Sequence, residues 1–316
     1  MNFSRKFFFS LLICFITATF TFSQDKDKTQ KPIKVRANLM VTDSNNQFVD
    51  VKPEDLKILE DGVEQKIIKL SKKEAFNVGF VVDNSGSLRS QFETITGTAN
   101  LIVENLREKD KAFAVRFVSS DNIRLMQDWT SDKNLLKRGI NNMYIEGGQS
   151  AVVDALMMST ELFLKKKNDN ERSALILISD CEDRNSYYRF EQVLQNLKEN
   201  DIEAYVIGFT QELDNYRPAT GISPRAKSTE FGKTLATGTG GMAFFPKYSK
   251  KKQDEIIEAA KTIVLELRSQ YVIEYVSTNS DPKDRERKFS VEIKNTSDSE
   301  KLSAFVRPVI NIGKVE

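Results

Sequence analysis

The chain has 316 residues, with 47 lysines and arginines against 45 aspartates and glutamates, so its net charge is +2 at pH 7. It contains no histidine, which excludes histidine-activated serine or cysteine nucleophiles and histidine-ligated zinc or iron sites. Without a basic excess or a basic face, we expect no nucleic-acid partner.

Residues 1–23 have the features of a secretory signal peptide. Arg5 and Lys6 precede the uncharged run FFFSLLICFITATF, and the small residues of Thr21-Phe22-Ser23 fit a signal-peptidase site. We therefore expect cleavage after Ser23 and export to the periplasm, the cell surface or the medium.

Two alternatives to cleavage stay open. The apolar run could remain as a membrane anchor, although it is short for a span. Cys14 could be a lipoprotein acylation site, although Ile13 is bulkier than the residue usual before such a cysteine. Removing the first 23 residues leaves 45 charges of each sign, one cysteine (Cys181) and hence no internal disulfide. No later stretch is long and apolar enough to cross a bilayer.

β-rich segments flank a central region. Residues 24–33 are charged and predict a flexible leader, and 34–74 predict an N-terminal β unit. In that unit VRANLMV is a predicted strand, and Asp61-Gly62 predicts a hairpin between LKILE and QKIIKL. Residues 269–316 return to β patterns, in QYVIEYVST, RKFSVEIKN and KLSAFVRP. We expect the two ends to pack together as a small sandwich-like unit.

Residues 75–268 alternate between apolar strands and amphipathic helices. The predicted strands are FNVGFVV, AFAVRFVS, NIRLMQDWT, SALILIS, IEAYVIGF and GMAFFP. The predicted helices are ITGTANLIVENLRE, NLLKRGINNM, SAVVDALMMSTELFLKKK, YRFEQVLQNLKEND, TEFGKTLATG (closed by Gly238) and DEIIEAAKTIVLELRS. This alternation predicts an α/β domain with a Rossmann-like, doubly wound, mainly parallel sheet, in which NIRLMQDWT is an antiparallel edge strand.

Oxygen-bearing side chains follow three segments that reach one edge of this sheet. Asp83, Ser85 and Ser87 follow FNVGFVV, Ser150 precedes a helix, and Asp180 follows SALILIS. Ligands bind open α/β sheets outside the carboxyl ends of the strands. Two carboxylates and three hydroxyls form a hard-oxygen set, which suits Mg²⁺ or Mn²⁺ and not zinc.

These motifs resemble the von Willebrand factor A domain with a metal-ion-dependent adhesion site. The family pattern D-x-S-x-S matches Asp83, Ser85 and Ser87, GGQSAVVDAL carries Ser150 where the family usually has Thr, and ISDCED places Asp180. A narrower likeness is to the exported bacterial, acidobacterial-type "VWFA-related" group. It rests on VRANLMVTD, EDGVEQ, TGGMAFFP and ELRSQY.

The resemblance implies a role for each site residue. Ser85 and Ser87 would bind the metal directly, Asp83 and Asp180 largely through water, and Ser150 either way. One coordination position would then accept an Asp or Glu carboxylate from a partner protein. Serine at 150 keeps the oxygen but lacks the methyl group that restricts a threonine rotamer.

Each of these residues also has a structural interpretation. Ser150 could be a helix N-cap, and Asp83 or Asp180 a turn residue. We expect Asp154 to support the start of its helix, and Cys181 to be a spectator thiol.

Two acidic and three aromatic residues follow Asp180 closely in the sequence. Glu182 and Asp183 are expected on the loop surface. Tyr187, Tyr188 and Phe190 either form an apolar rim around the metal face or begin the next helix, and the sequence leaves both open.

The sequence therefore predicts an exported, metal-dependent, adhesion-type binding module and not an enzyme. One rival is a structural scaffold of a cell-envelope complex with an incidental or absent metal. The other is a metal-dependent hydrolase using Asp83 and Asp180, which lacks an adjacent base. The sequence does not specify the partner, the final compartment, Mg²⁺ over Mn²⁺ or the oligomeric state.

Overall fold

The computed structural model describes residues 33–45, 49–72, 75–166, 172–215, 221–247, 252–269, 271–279, 287–294 and 302–312. The predicted signal peptide, including Cys14, and the predicted leader up to residue 32 lie outside the described residues.

Thirteen strands and six α-helices are found in the described segments. The strands are β1 Lys34–Thr42, β2 Leu56–Glu60, β3 Val63–Gln65, β4 Ile67–Lys72, β5 Phe76–Asp83, β6 Lys111–Phe117, β7 Ile123–Thr130, β8 Arg172–Ser179, β9 Ile202–Gly208, β10 Ala243–Phe244, β11 Tyr271–Val276, β12 Phe289–Ile293 and β13 Ser303–Ile312. The helices are α1 Phe92–Glu104, α2 Lys133–Asn141, α3 Val152–Lys165, α4 Phe190–Glu199, α5 Pro224–Thr239 and α6 Lys252–Ser269.

A six-stranded sheet carries the central α/β region. Its strand order is β10-β9-β8-β5-β6-β7, and all neighbours are parallel except the edge pair β6 and β7. The predicted mainly parallel sheet with an antiparallel edge is confirmed. Every residue of β5 is buried, as expected of a strand that is covered on both faces.

Helices cover both faces of this sheet. One apolar cluster joins alternate β5 residues such as Val78 and Phe80 to α1, α2 and α6. The other cluster joins Val81 to α3, α4 and α5. Gly79 faces the second cluster, where an added Cβ would lie 2.4 Å from Cζ of Phe113, so this glycine makes room for an aromatic ring.

The fifth helix differs from its prediction at both ends. Ser223 is its N-cap, with its hydroxyl accepting the amide of Ala226, so the helix begins earlier than predicted. The helix also continues through Gly238 and is closed by Gly240, whose φ of 83° is left-handed. The prediction that Gly238 closes this helix was therefore wrong, because the residue with the left-handed conformation is Gly240.

Two further sheets are built from the N-terminal and C-terminal β segments. One has the order β13-β1-β11-β4, and the other has the order β12-β2-β3. Apolar residues of both sheets, such as Leu39, Ile58 and Ile273, form one shared core. Strands from the two ends of the chain therefore pair with one another, with Val35 opposite Ile312.

The predicted hairpin is correct at its turn but not in its second strand. Asp61 and Gly62 both have positive φ, and β2 pairs with β3. The segment IIKL instead forms β4, which pairs with β11 in the other sheet. At this change of sheet, the buried Gln65 amide hydrogen-bonds the backbone and hydroxyl of Thr278, just after β11.

A buried ion pair links β2 to the segment before β12. Arg287 and Glu60 are both almost fully buried, and Arg287 Nη1 donates to Glu60 Oε1 at 2.6 Å. The hydroxyls of Tyr275 and Ser277 also donate to Glu60. The charges are thus enclosed within a hydrogen-bonded network, as buried ions require.

The central α/β region is an insertion between two paired strands. It leaves the sandwich after β4 and returns at β11, where Lys72 lies opposite Tyr271. No described helix has both the length and the apolar character needed to cross a bilayer.

Candidate functional site

Asp83, Ser85, Ser87 and Asp180 lie at the carboxyl ends of β5 and β8, two adjacent parallel strands, and Ser150 lies in the segment before α3. From β5 the chain proceeds to β6 on one side, whereas from β8 it proceeds to β9 on the other. This is the point at which the winding direction of the sheet reverses, where open α/β sheets form a crevice.

The segment after β5 folds its side chains toward one point. Asp83 is the last residue of β5, and its Oδ1 accepts the backbone amide of Ser85 at 2.9 Å. Ser85 is extended, and a 3-10 helix of Gly86–Gln91 begins immediately after it. This change of direction brings the Ser85 and Ser87 hydroxyls within 3.0 Å of each other.

Ser150 and Asp180 complete a continuous hydrogen-bonded set. The Ser87 hydroxyl donates to Asp180 Oδ2 at 2.7 Å, and the Ser150 hydroxyl lies 3.2 Å from Asp83 Oδ2. The structure thus brings together all five residues predicted for the site. Ser150 is not a helix N-cap, since α3 is preceded by Ala151 and has no side-chain cap from that residue.

Ser179 is a further member that the sequence analysis missed. Its hydroxyl donates to Asp83 Oδ2 at 2.6 Å and accepts the amide of Cys181 at 2.8 Å. Ser179 ends a strand that was interpreted only as a buried apolar element. A polar residue at the last position of such a strand, next to Asp180, was the available signal.

The two carboxylates are buried close together. Asp83 is 0% exposed and Asp180 2% exposed. Burial, followed by the negative charge of Asp83, raises the pKa of Asp180 to about 7. Burial also raises the pKa of Asp83, against the lowering effect of its hydrogen bonds from Ser179 and Ser85. In the part of the chain that the structure describes, neither carboxylate forms an ion pair.

This donor set suits a small hard cation. The charge of Arg184 acts on both carboxylates without forming an ion pair with either, so they remain costly to bury, and a bound cation would relieve their mutual repulsion. Among the described residues, no three acidic or cysteine side chains converge, so a cation here would depend on hydroxyl oxygens and water as well as on the two carboxylates. Mg²⁺ commonly binds in this way, with few carboxylates and several waters.

The loop after Asp180 begins with an unusual backbone conformation. Cys181 has a φ of 60°, in the left-handed region that is unfavourable for a side chain with a Cβ. The Glu182 amide then donates to Asp180 Oδ1 at 2.9 Å. Cys181 is buried, and burial raises the pKa of its thiol well above the usual range, so the neutral thiol prevails at physiological pH.

The same loop is tied to the start of α3. The carbonyl of Ser150 accepts the amides of Arg184 and Asn185. The Asp183 carboxylate accepts the amide of Val153 at 3.1 Å. Asp183 is exposed in the loop, as predicted, and in addition caps the first turn of α3, whose amides need an acceptor.

Asp154 holds the next part of the loop. Its two carboxylate oxygens accept the amides of Tyr187 and Tyr188, each at 2.9 Å. The prediction that Asp154 supports the start of its own helix is therefore wrong, because its carboxylate binds the loop. The amides in the first turn of α3 instead donate to Asp183 and Ser186.

The three aromatic residues of this region have different environments. Phe190 begins α4 and packs against Phe231, with a ring-centroid distance of 4.7 Å. Tyr187 is 86% exposed and Tyr188 is 39% exposed. Only the two tyrosines are thus available at the surface.

A family model and three solved structures resemble this chain. The model for the von Willebrand factor type A domain matches residues 77–237. A conserved hypothetical protein BatB from Bacteroides thetaiotaomicron is 18% identical, with a TM-score of 0.47 over 60% of this chain and 99% of that chain. An aerotolerance-related membrane protein from Bacteroides fragilis, carrying multiple mutations to serine, is 17% identical, with a TM-score of 0.46 over 61% of this chain and 98% of that chain.

The third structure is a von Willebrand factor type A protein from Catenulispora acidiphila. It is 12% identical to this chain, with a TM-score of 0.48 over 75% of this chain and 51% of that chain. A search of curated protein sequences finds no match. Identities this low carry no inference about function.

Proposed function

The chain belongs to the von Willebrand factor type A domain family, and on that premise we propose that it is an exported, metal-dependent protein-binding module. A divalent cation, Mg²⁺ or Mn²⁺, would be held by Asp83, Ser85, Ser87, Ser150 and Asp180. The cation would supply an electrophilic position for an Asp or Glu carboxylate of the partner.

One observation carries this proposal: two buried carboxylates are joined through Ser85 and Ser87 without a basic side chain between them. Such an arrangement is unfavourable by itself and becomes favourable when a cation is bound. Hydroxyl ligands leave the cation less neutralised than carboxylate ligands would, and therefore able to attract another carboxylate.

The exposure pattern supports access by a partner. Asp83, Ser85, Ser150 and Asp180 are buried, whereas Ser87 is exposed. Solvent therefore reaches the site on the side of Ser87. A partner's side chain can approach there without displacing the core of the sheet.

Export is supported by the predicted signal peptide of residues 1–23, and a binding role by the match to the von Willebrand factor type A domain. The rival hypothesis of an envelope scaffold with no functional metal makes the opposite prediction about metal binding, and the same experiment separates the two.

The test is calorimetric titration of Mg²⁺ and of Mn²⁺ into residues 24–316. We expect saturable binding at one site, lost in Asp83→Ala and retained in Asp128→Ala, which removes a carboxylate from β7. Circular dichroism would establish that each variant is folded. Equal binding by wild type and Asp83→Ala, or no binding by folded wild type, would contradict the proposed cation site.

A further inference from the structure

An open groove of about 580 Å³ lies beside the candidate metal site. Its lining includes Arg116 from β6, Leu125 and Met126 from β7, and Tyr144 and Glu146 from the segment between α2 and α3. None of these residues belongs to the predicted cation site.

The groove is joined directly to the D-x-S-x-S segment. The Asn84 carbonyl accepts the Glu146 amide at 3.0 Å, and the Asn84 side-chain amide donates to the Tyr144 carbonyl at 3.1 Å. Ser85 and Glu146 form a parallel β-bridge. The wall of the groove and the serines of the site therefore share one hydrogen-bonded unit.

Tyr144 offers an aromatic surface at the edge of this groove. It is 54% exposed, and the guanidinium of Arg116 lies 4.3 Å from its ring centroid. Arg116 is itself only 2% exposed and also donates to the Tyr144 carbonyl. The ring is thus supported from beneath by a buried cation, while the remainder of it is open to solvent, as is Leu125 at 39% exposure.

Two arginines, Arg116 and Arg124, and two acidic residues, Asp121 and Glu146, line the groove, so their charges balance. Arg116 pairs with Glu146, and Asn122 donates to the same carboxylate at 2.9 Å. A charge-balanced groove with exposed Tyr and Leu side chains favours an uncharged, apolar ligand group over another ion.

We propose that this groove binds an apolar or aromatic side chain of the same partner protein whose carboxylate reaches the cation. This inference rests on the proposed function and specifies the partner's chemistry, an acidic residue with an apolar residue close to it in sequence. Aromatic residues at such positions are frequent binding hot spots.

The spacing follows from strand geometry. Bridged strands lie about 4.8 Å apart, and two residues along an extended chain add about 6.6 Å. Tyr144, two residues before Glu146, is therefore on the order of 8 Å from Ser85 along the surface. An extended partner segment covers this distance in two or three residues.

The test uses bead-displayed heptapeptides with a fixed central aspartate and randomised flanks. Wild-type residues 24–316 would be selected on them in Mg²⁺, and EDTA would elute the metal-dependent peptides. We expect these peptides to be enriched in apolar or aromatic residues two or three positions from the aspartate.

Variants then assign the enrichment to the groove. Leu125→Ser and Tyr144→Ser should each weaken the best selected peptide by about tenfold, while Mg²⁺ affinity by calorimetry is unchanged. Tyr187→Ser is the matched control, because Tyr187 is also an exposed tyrosine but does not line the groove. It should leave peptide affinity unchanged.

The possible failures are distinguishable. If no peptide is released by EDTA, the proposed function fails and this inference fails with it. If EDTA-sensitive peptides show no apolar preference, or keep full affinity for both groove variants, the groove is overturned while the metal-dependent binding stands. A loss in Tyr187→Ser alone would move the contact to the loop after Asp180.

Discussion

The hydroxyl of Ser179 donates a 2.6 Å hydrogen bond to Oδ2 of Asp83, joining the last residues of two adjacent parallel strands. The register that pairs Val82 with Ile178 brings these ends side by side. Ser179 also accepts the amide of Cys181, so one hydroxyl fixes both the Asp83 carboxylate and the backbone that follows Asp180.

Ser179→Ala should therefore weaken cation binding without removing a predicted ligand. Loss of a residue that orients a metal ligand typically reduces affinity by about 10- to 100-fold. Calorimetric titration of Mg²⁺ measures this change. Ser159→Ala is the matched control, because Ser159 is equally buried but donates to the Ala155 carbonyl inside α3. Similar losses in both variants would indicate a general effect of removing a buried hydroxyl.

Cation binding should become tighter with rising pH. Burial and the charge of Asp83 raise the pKa of Asp180 to about 7 in the metal-free protein, so the cation must displace a proton at lower pH. We expect Mg²⁺ affinity to increase about tenfold between pH 6 and pH 8. Titrations at three pH values measure this, and an affinity independent of pH would contradict the assignment of Asp180 as a cation-binding carboxylate.

Asp180→Asn should stabilise the metal-free protein above neutral pH. Because the folded-state pKa of Asp180 lies above its unfolded value, the folded state binds more protons between about pH 4 and 7. Its contribution to the free energy of unfolding is therefore fully present below about pH 4 and is lost as the pH rises through 7.

The variant lacks this titration, so its advantage over wild type should grow from pH 4 to pH 7 and then level off. We expect a gain on the order of 2 to 4 kcal/mol at pH 8, measured by urea unfolding in EDTA. Saturating Mg²⁺ should stabilise wild type and not Asp180→Asn. A variant less stable than wild type at pH 8 without metal would show that the buried carboxylate pair is not unfavourable.

Arg287→Met should destabilise the terminal β sandwich strongly. The substitution leaves Glu60 buried without its cation, which typically costs about 3 to 5 kcal/mol. Urea unfolding measures the loss. Lys57→Met is the control, because the Lys57–Glu292 pair is solvent-exposed and should contribute little to stability. Equal effects of the two substitutions would contradict the importance of the buried network.

Residue periodicity was sufficient to predict the central sheet. Continuous apolar runs predicted the strands that are covered on both faces, and the mixed pattern of NIRLMQDWT predicted the half-exposed edge strand β7. The beginning of α5 was missed although Ser223-Pro224 is a typical N-terminal signal. The second strand of the predicted hairpin was wrong because IIKL pairs with β11, a strand far along the chain, and no local pattern contains that pairing.

The site shows the same division between local and long-range information. The positions of Asp83, Ser85, Ser87, Ser150 and Asp180 after strands or before a helix predicted that they would meet. The partners of Ser179, Asp154 and Asp183 depend on strand register and loop path, which no local pattern contains. The position of Ser179 next to Asp180 was a visible signal, but the residue that it binds is seen only in three dimensions, as are the partners of Asp154 and Asp183.

The pairing of β1 with β13 determines how the protein would respond to mechanical force. Val35 lies opposite Ile312, so chain segments before β1 and after β13 leave from the same end of an antiparallel pair. Tension between them would break the interstrand hydrogen bonds one after another and not all together, because those bonds lie perpendicular to the strands. A partner that pulls on the inserted α/β region would instead draw β4 and β11 in the same direction, since Lys72 and Tyr271 are opposite each other. Tension between that region and the segment before β1 would load the β1–β11 pair along its strands, because Lys34 lies opposite Val276 and Leu39 opposite Tyr271. The sandwich would thus open like a zipper from its two ends but resist a pull on the inserted region.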